Sequence, residues 1–454
     1  MNTLRRLRKL WLWIPAVATI VTGCFSGESS NSSGDDDLAS AGFDKPTMDA
    51  VAQTRYEIID LGVNNSKDNF SMAMGLNNQG WAENMDGFVN PPENNLFTTV
   101  SRGRAVISIY GFNIDLGTLG KPDANSWINW GGINDRGEAV GMSETADLDP
   151  NGEDICGFGT HLTCVPFLWR TGHMSPLPTV GGNNGQASAI NNRGQVVGFS
   201  ETANADPTCP PAPIEVPVLW EKGAGGHHHH QAHPLPLVGT DPDGVAFGIN
   251  DHGQAVGYSG NCIAATHAVT WKNNTVFVLQ DLGGTRSNIA FVINNRGQIA
   301  GEVRSADGTH YVAALWQPDG TLTNHEPLPG DLDAFATGIN DLGQVVGNDF
   351  DSNFDWSHGF IWQNGVMTDI NALISADSNL SVISASNINE RGQISGMATV
   401  QSGPHKGDIH AFLATPVEGR VGRSVADVAT TQPKLPASVG KRLLQGFGRG
   451  RFEQ

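Results

Sequence analysis

Two acidic stretches carry the side chains best suited to holding an ion. In Asp147-Leu148-Asp149-Pro150-Asn151-Gly152-Glu153-Asp154, oxygen-bearing residues alternate as at the start of a calcium loop. Calcium takes roughly six to eight oxygen ligands, so such alternation suits it. The loop is no complete EF-hand, because Phe158 stands where the closing Glu belongs. Asp349, Asp351, Asn353 and Asp355 repeat the alternation without the Gly. Calcium is therefore the cofactor these two loops predict, and a solvated acidic loop is the plainer alternative. The run His227–His230, with His233, offers imidazoles for Zn²⁺, Ni²⁺ or Cu²⁺. Its flanking glycines and lack of partner carboxylates equally fit a polar insertion.

Catalytic signatures are missing. No GxSxG, HExxH, phosphate-binding loop or GxGxxG is present. The Ser in GMSE, GFSE and GYSG recurs with a repeat and reads as part of it. The His and Trp of the short PFLW-like strands recur in the same way and read as packing and hydrogen bonding.

Five cysteines occur: Cys24, Cys156, Cys164, Cys209 and Cys262. The four after Cys24 form an even set, as in exported disulfide-bonded proteins. Cys156 and Cys164 are close enough to close a short loop, which leaves Cys209 with Cys262. No CxxC supports a metal site.

The elements that position these residues come from a repeat. An aliphatic residue, Asn, two residues and Gly recur seven times, from Leu76-Asn77 to Gly80 through Ile388-Asn389 to Gly392. The period is about 50 residues, that of a four-stranded propeller blade. Most copies continue as a short apolar strand such as GQVVG. A second phrase, a short strand usually ending in Trp, alternates with the first, and a third follows it, often ending in Asp-Leu-Gly. Each unit thus has four strands: A (PFLW-like), B (LQDLGG-like), C (AxxIN-like) and D (GQVVG-like). The N-x-x-G turn joins C to D, with Gly suited to a positive φ and Asn to an Asx-turn. The first copy, Gly80-Trp81-Ala82-Glu83-Asn84, departs from the pattern.

These features predict an all-β fold, a seven-bladed β-propeller of four-stranded antiparallel blades. The repeats open on a B strand at Tyr56–Gly62 and close on an A strand at His410–Leu413. Pairing of these terminal strands would complete a seventh blade, closing the ring and removing free edges. The D-to-A insertions are the longest and most acidic loops, so their face is the expected binding face.

Residues 1–24 have a basic start, an apolar stretch too short to anchor stably across a bilayer, and Val21-Thr22-Gly23-Cys24. This resembles a bacterial lipoprotein signal, which implies lipidation at Cys24. Phe25 follows, not the Asp of an inner-membrane retention signal, so the cell outer membrane is the expected address. Residues 25–54 read as a flexible acidic tether, 55–416 as the propeller and 417–454 as a basic disordered tail. The formal charge of −19 argues against nucleic acid as a partner.

The repeat phrases resemble the HAF repeat family of extracellular bacterial proteins. His410-Ala411-Phe412 matches the eponymous motif, with variants His267-Ala268-Val269 and His358-Gly359-Phe360. Asp281-Leu282-Gly283-Gly284 and Ile293-Asn294…Gly297 also fit, and the resemblance covers about 55–416. It implies an exported repeat protein and carries no activity onto particular residues. The expected function is a monomeric, lipid-anchored binding module of the envelope. Its expected partners are membrane lipid, through acylated Cys24, and a protein or glycan ligand. The competing reading is a glycan hydrolase or lyase using carboxylates on the channel face.

Overall fold

The computed structural model describes residues 54–89, 100–206, 212–223, 230–261, 264–284, 287–351 and 356–417. The signal and lipidation residue Cys24, nearly all of the tether, Cys209, Cys262, His227–His229, Asn353, Asp355 and residues 418–454 lie outside them.

The described chain is all-β, with one 3-10 turn at Ile370–Ala372. It forms five separate four-stranded antiparallel sheets and one sheet of eight strands. A single parallel pair, Phe70 with Ile409, divides the larger sheet into two four-stranded halves. The arrangement is propeller-like. Each four-stranded group begins with an inner strand: Phe70–Leu76, Ser126–Ile133, Gly185–Ile190, Asp243–Ile249, Ile289–Ile293, Asp333–Ile339 or Leu380–Ile388. Each inner strand touches the next, and the last touches the first. Burial falls outward along a group. Every residue of Phe70–Leu76 is buried, whereas the outermost strand Thr275–Val278 has none.

The repeat unit and the sheet are out of phase, which corrects the expected grouping. A sheet runs C-D-A-B, not A-B-C-D. The C-to-D, D-to-A and A-to-B connections make antiparallel neighbours, while the B-to-C connection crosses to the next sheet. Consequently Arg55–Gly62 pairs along Ile409–Val417 and sits in the half that starts at Leu380, not with Phe70–Leu76 and Trp81–Val89.

The repeated residues fasten one sheet to the next. Trp220, Trp271 and Trp316 are fully buried, and each indole N–H donates 2.7 Å to a carbonyl of the crossover, at Pro178, Pro236 and Gln280. The strand-D serines also hold the crossover. Ser143, Ser200 and Ser259 accept the amides of Leu119, Val180 and Val238 at 2.9–3.0 Å. Neither the Trp nor the Ser is placed for chemistry.

The first sheet breaks the pattern. In the others a Gly of strand D lies against the inner strand; a Cβ on Gly198 would stand 1.9 Å from the Gln186 carbonyl oxygen. Asn84 takes that place in the first sheet, and Glu83 takes the preceding place, held elsewhere by Val140, Val197, Val256, Ala300, Val346 or Ser395. Glu83 is fully buried, and neither carboxyl oxygen has a hydrogen-bond partner among the described residues. Gly75 and Gly132 leave the room it occupies.

Burial pushes the Glu83 carboxyl well above its ordinary value. The unfolded chain gives up this proton near pH 4, whereas the folded chain keeps it. The stability it permits is therefore full below that pH and falls as pH rises. Glu83→Val should raise the stability at pH 8 by about 1–3 kcal/mol, with a smaller gain at pH 4. Denaturant unfolding at both pH values checks this.

Candidate functional site: an axial polar cup

The seven N-x-x-G turns meet at one end of the axis. In each, the Asn side chain closes its own turn; the Asn191 Oδ1, for example, accepts the amides of Arg193 and Gln195, both at 3.0 Å. This is the Asx geometry the sequence predicts. The Nδ2 does something else. It donates to the backbone carbonyl of the Asn in the next turn. Asn77 donates to Asn134, Asn134 to Asn191, Asn191 to Asn250 and Asn250 to Asn294. Asn294 then donates to Asn340, Asn340 to Asn389, and Asn389 back to Asn77, all at 2.9–3.1 Å. The cycle returns to its start across the two ends of the repeat region. All seven Asn are buried.

A second cycle lies on the first, made by the residue after each Asn: Asn78, Asp135, Asn192, Asp251, Asn295, Asp341 and Glu390. Each backbone N–H donates to the side-chain oxygen of the next member, at 2.7–3.0 Å, and Glu390 closes onto Asn78. Amides also pair with carboxylates sideways, as where Asn192 Nδ2 donates to both Asp135 and Asp251. Alternating Asn and Asp cannot close an odd ring without one like pair. That pair is Asp341 and Glu390. Burial pushes the Glu390 carboxyl up, the Asp341 amide opposes this, and the charges of Asp341 and Asp135 raise it further.

These rings line a cavity of about 170 Å³ that draws on all seven groups. Gly131 contributes from a wide bulge in Ser126–Ile133, where Ile128 pairs Gly141 but the next pair is Ile133 with Ala139. That strand also reaches three inner strands that are not its neighbours, those starting at Asp243, Ile289 and Leu380, so it bulges toward the axis.

The expected binding face looks different. Its longest described insertion is stapled by the disulfide Cys156–Cys164, with Cα atoms 5.7 Å apart. Ile155 and Cys156 join Phe199, Phe247, Phe291 and Phe335 in one buried apolar cluster. That insertion seals the core.

The acidic residues separate. Asp147, Asn151 and Gly152 are exposed, but Asp149 is buried. The Asp149 Oδ1 accepts the amides of Asn151 and Glu153, and its Oδ2 accepts Asn184 Nδ2, at 2.8–3.0 Å. Asp154 Oδ2 accepts the Gly159 amide. A calcium ion bound through Asp149 would have to displace those donors. Asp349 is no loop residue; it lies fully buried in strand Val345–Phe350 at the position of the crossover serines, accepting the Leu328 amide at 2.8 Å. Burial pushes its carboxyl up to about 7, with the Leu328 bond opposing. Asp351 is half-buried just beyond that strand. His230 is buried with Nε2 on the Gly194 carbonyl, whereas His233 is exposed, so these two do not converge.

The cup was within reach of the sequence. The residue following each repeat Asn reads Asn, Asp, Asn, Asp, Asn, Asp, Glu, an alternation visible once the turns are aligned.

Asn250→Asp keeps the acceptor that closes its own turn and removes the donor to Asn294. It should cost about 1–3 kcal/mol, and Asn250→Ala more, because it also removes the acceptor of the His252 and Gln254 amides. Denaturant midpoints of the two variants check the order.

No protein-family model matches the chain, and no curated protein matches it. Among solved structures, a provisionally assigned gluconolactonase is similar at 10% identity and TM-score 0.32, covering 80% of this chain and 98% of that one. The SapL1 lectin with alpha-methyl fucoside is similar at 10% identity and TM-score 0.32, covering 66% and 96%. A protein of unknown function from Dyadobacter fermentans is similar at 11% identity and TM-score 0.31, covering 80% and 99%.

Proposed function

We propose that the chain is an exported seven-bladed β-propeller, closed by its terminal strands and anchored by lipid at Cys24 to the outer membrane. It acts there as a binding module of the HAF repeat type, and the axial cup takes the ligand. The observation that carries this reading is the convergence of hydrogen-bonding side chains from all seven turns on one cavity. Carboxylates beside carboxamides offer paired acceptors and donors, the complement of vicinal hydroxyls on a sugar or of an amide or guanidinium on a protein. A cavity of about 170 Å³ admits one such group, not a large apolar molecule. The terminal pairing of Arg55–Gly62 with Ile409–Val417 supports closure, since strands from both ends of the repeat region complete one four-stranded group.

A second reading, a glycan hydrolase or lyase, draws on the like pair Asp341 and Glu390. Two neighbouring carboxyls, one of them raised, are what acid-base cleavage of a glycoside needs.

A glycan and peptide panel tested against the full-length chain separates the two. The binding module predicts retention of a defined ligand, weakened at least tenfold by Asp341→Asn with Glu390→Gln, and no new reducing ends. Release of reducing ends that this variant abolishes would favour the hydrolase. Retention untouched by the variant would remove the cup from the account.

A further inference from the structure

His410 opens the terminal HAF motif and is 2% exposed. Its Nδ1 lies 3.0 and 2.9 Å from the two carboxyl oxygens of Asp60, at the far end of the chain. Its Nε2 is buried and has no hydrogen-bond partner. A buried ring nitrogen left unpaired is costly, and a native fold seldom keeps one without a use.

Two further ligands stand beside it. The imidazole of His405 lies 5.3 Å from that of His410, ring centre to ring centre. Asp408 Oδ2 lies 2.9 Å from His405 Nδ1. One ligand atom from each of His405, Asp408 and His410 falls within 4.8 Å of the others. Among the described residues no other three His, Cys, Asp or Glu converge so closely.

The pairing of His with a carboxylate is itself a feature of the repeat. His267 Nδ1 meets Asp241 at 3.1 Å, and His358 Nδ1 meets Asp331 at 2.7 Å. Those two lack the additional imidazole. Only the terminal copy carries Gly403-Pro404-His405-Lys406-Gly407-Asp408 immediately before its motif.

We propose that His405, Asp408 and His410 bind one divalent transition-metal ion of the zinc type, with Asp60 as the carboxylate that orients His410. Two imidazoles and a carboxylate suit Zn²⁺, and they leave a fourth position for water or a ligand. A metal-binding His commonly donates its other nitrogen to a carboxylate, which fixes its tautomer and orientation. Asp60 belongs to Arg55–Gly62 and the ligands belong to or precede Ile409–Val417, so an occupied site fastens the two ends of the repeat region together.

The test uses the full-length chain in detergent, with His227, His228 and His229 changed to Ala so that this run cannot contribute. Calorimetric titration with Zn²⁺ should show one ion per chain at micromolar or tighter affinity. Co²⁺ should give the visible absorption of a tetrahedral site. His405→Ala and Asp408→Asn should each weaken Zn²⁺ binding at least tenfold and abolish the Co²⁺ bands. Asp60→Asn should weaken it by about 10–100-fold. His405 is exposed, so its replacement should leave the metal-free melting temperature unchanged and show the loss to be one of ligation. Absence of Zn²⁺ binding, or unchanged affinity in His405→Ala, overturns the proposal.

Discussion

The carboxamide of one Asn per repeat holds the architecture together. Its oxygen closes a local turn and its nitrogen reaches the carbonyl of the next turn, so each residue serves its own sheet and its neighbour. The links are buried, where an unpaired amide or carbonyl costs on the order of 1–3 kcal/mol. That cost makes each turn dependent on the one beside it. Sheets that would otherwise meet through apolar side chains alone are set in register by direction-specific bonds, and the cycle returns from Asn389 to Asn77.

The second cycle inherits its geometry from the first. Once the Asn carbonyls are fixed, the following residue can only face the axis, and its amide can only reach the neighbour's side chain. Alternating Asn and Asp satisfies nearly every donor and acceptor without stacking negative charge. The odd number of turns forces one acidic pair together, and the longer side chain of Glu390 lets it reach the Asp341 amide with either oxygen. An asymmetry in the ring thus follows from a counting constraint.

Much of this was legible in the residues. The N-x-x-G spacing identified the turns, and the alternation of short strands identified four-stranded sheets. Cys156 and Cys164 were correctly paired from their spacing. The grouping of strands was not legible, because a repeat phrase marks a period and not the point where one sheet ends. The cup is hidden in the sequence for a related reason: an Asx-turn explains Asn locally, and that local explanation masks the second bond from Nδ2. Asp349 is obscured for the opposite reason. In sequence it continues an acidic alternation, yet in space it replaces the serine that accepts the crossover amide. The buried Glu83 looked like degeneracy in the first repeat and proves to be an acid enclosed against two glycines.

Hydrogen–deuterium exchange of the turn amides tests the closed cycle most directly. The amide of Glu390, which donates to the Asn78 side chain at 2.9 Å, spans the place where the two ends of the repeat region meet. A closed cycle predicts that it exchanges as slowly as the internal equivalents at Asn192 and Asn295. Fast exchange at Glu390, with protection confined to the internal turns, would contradict it.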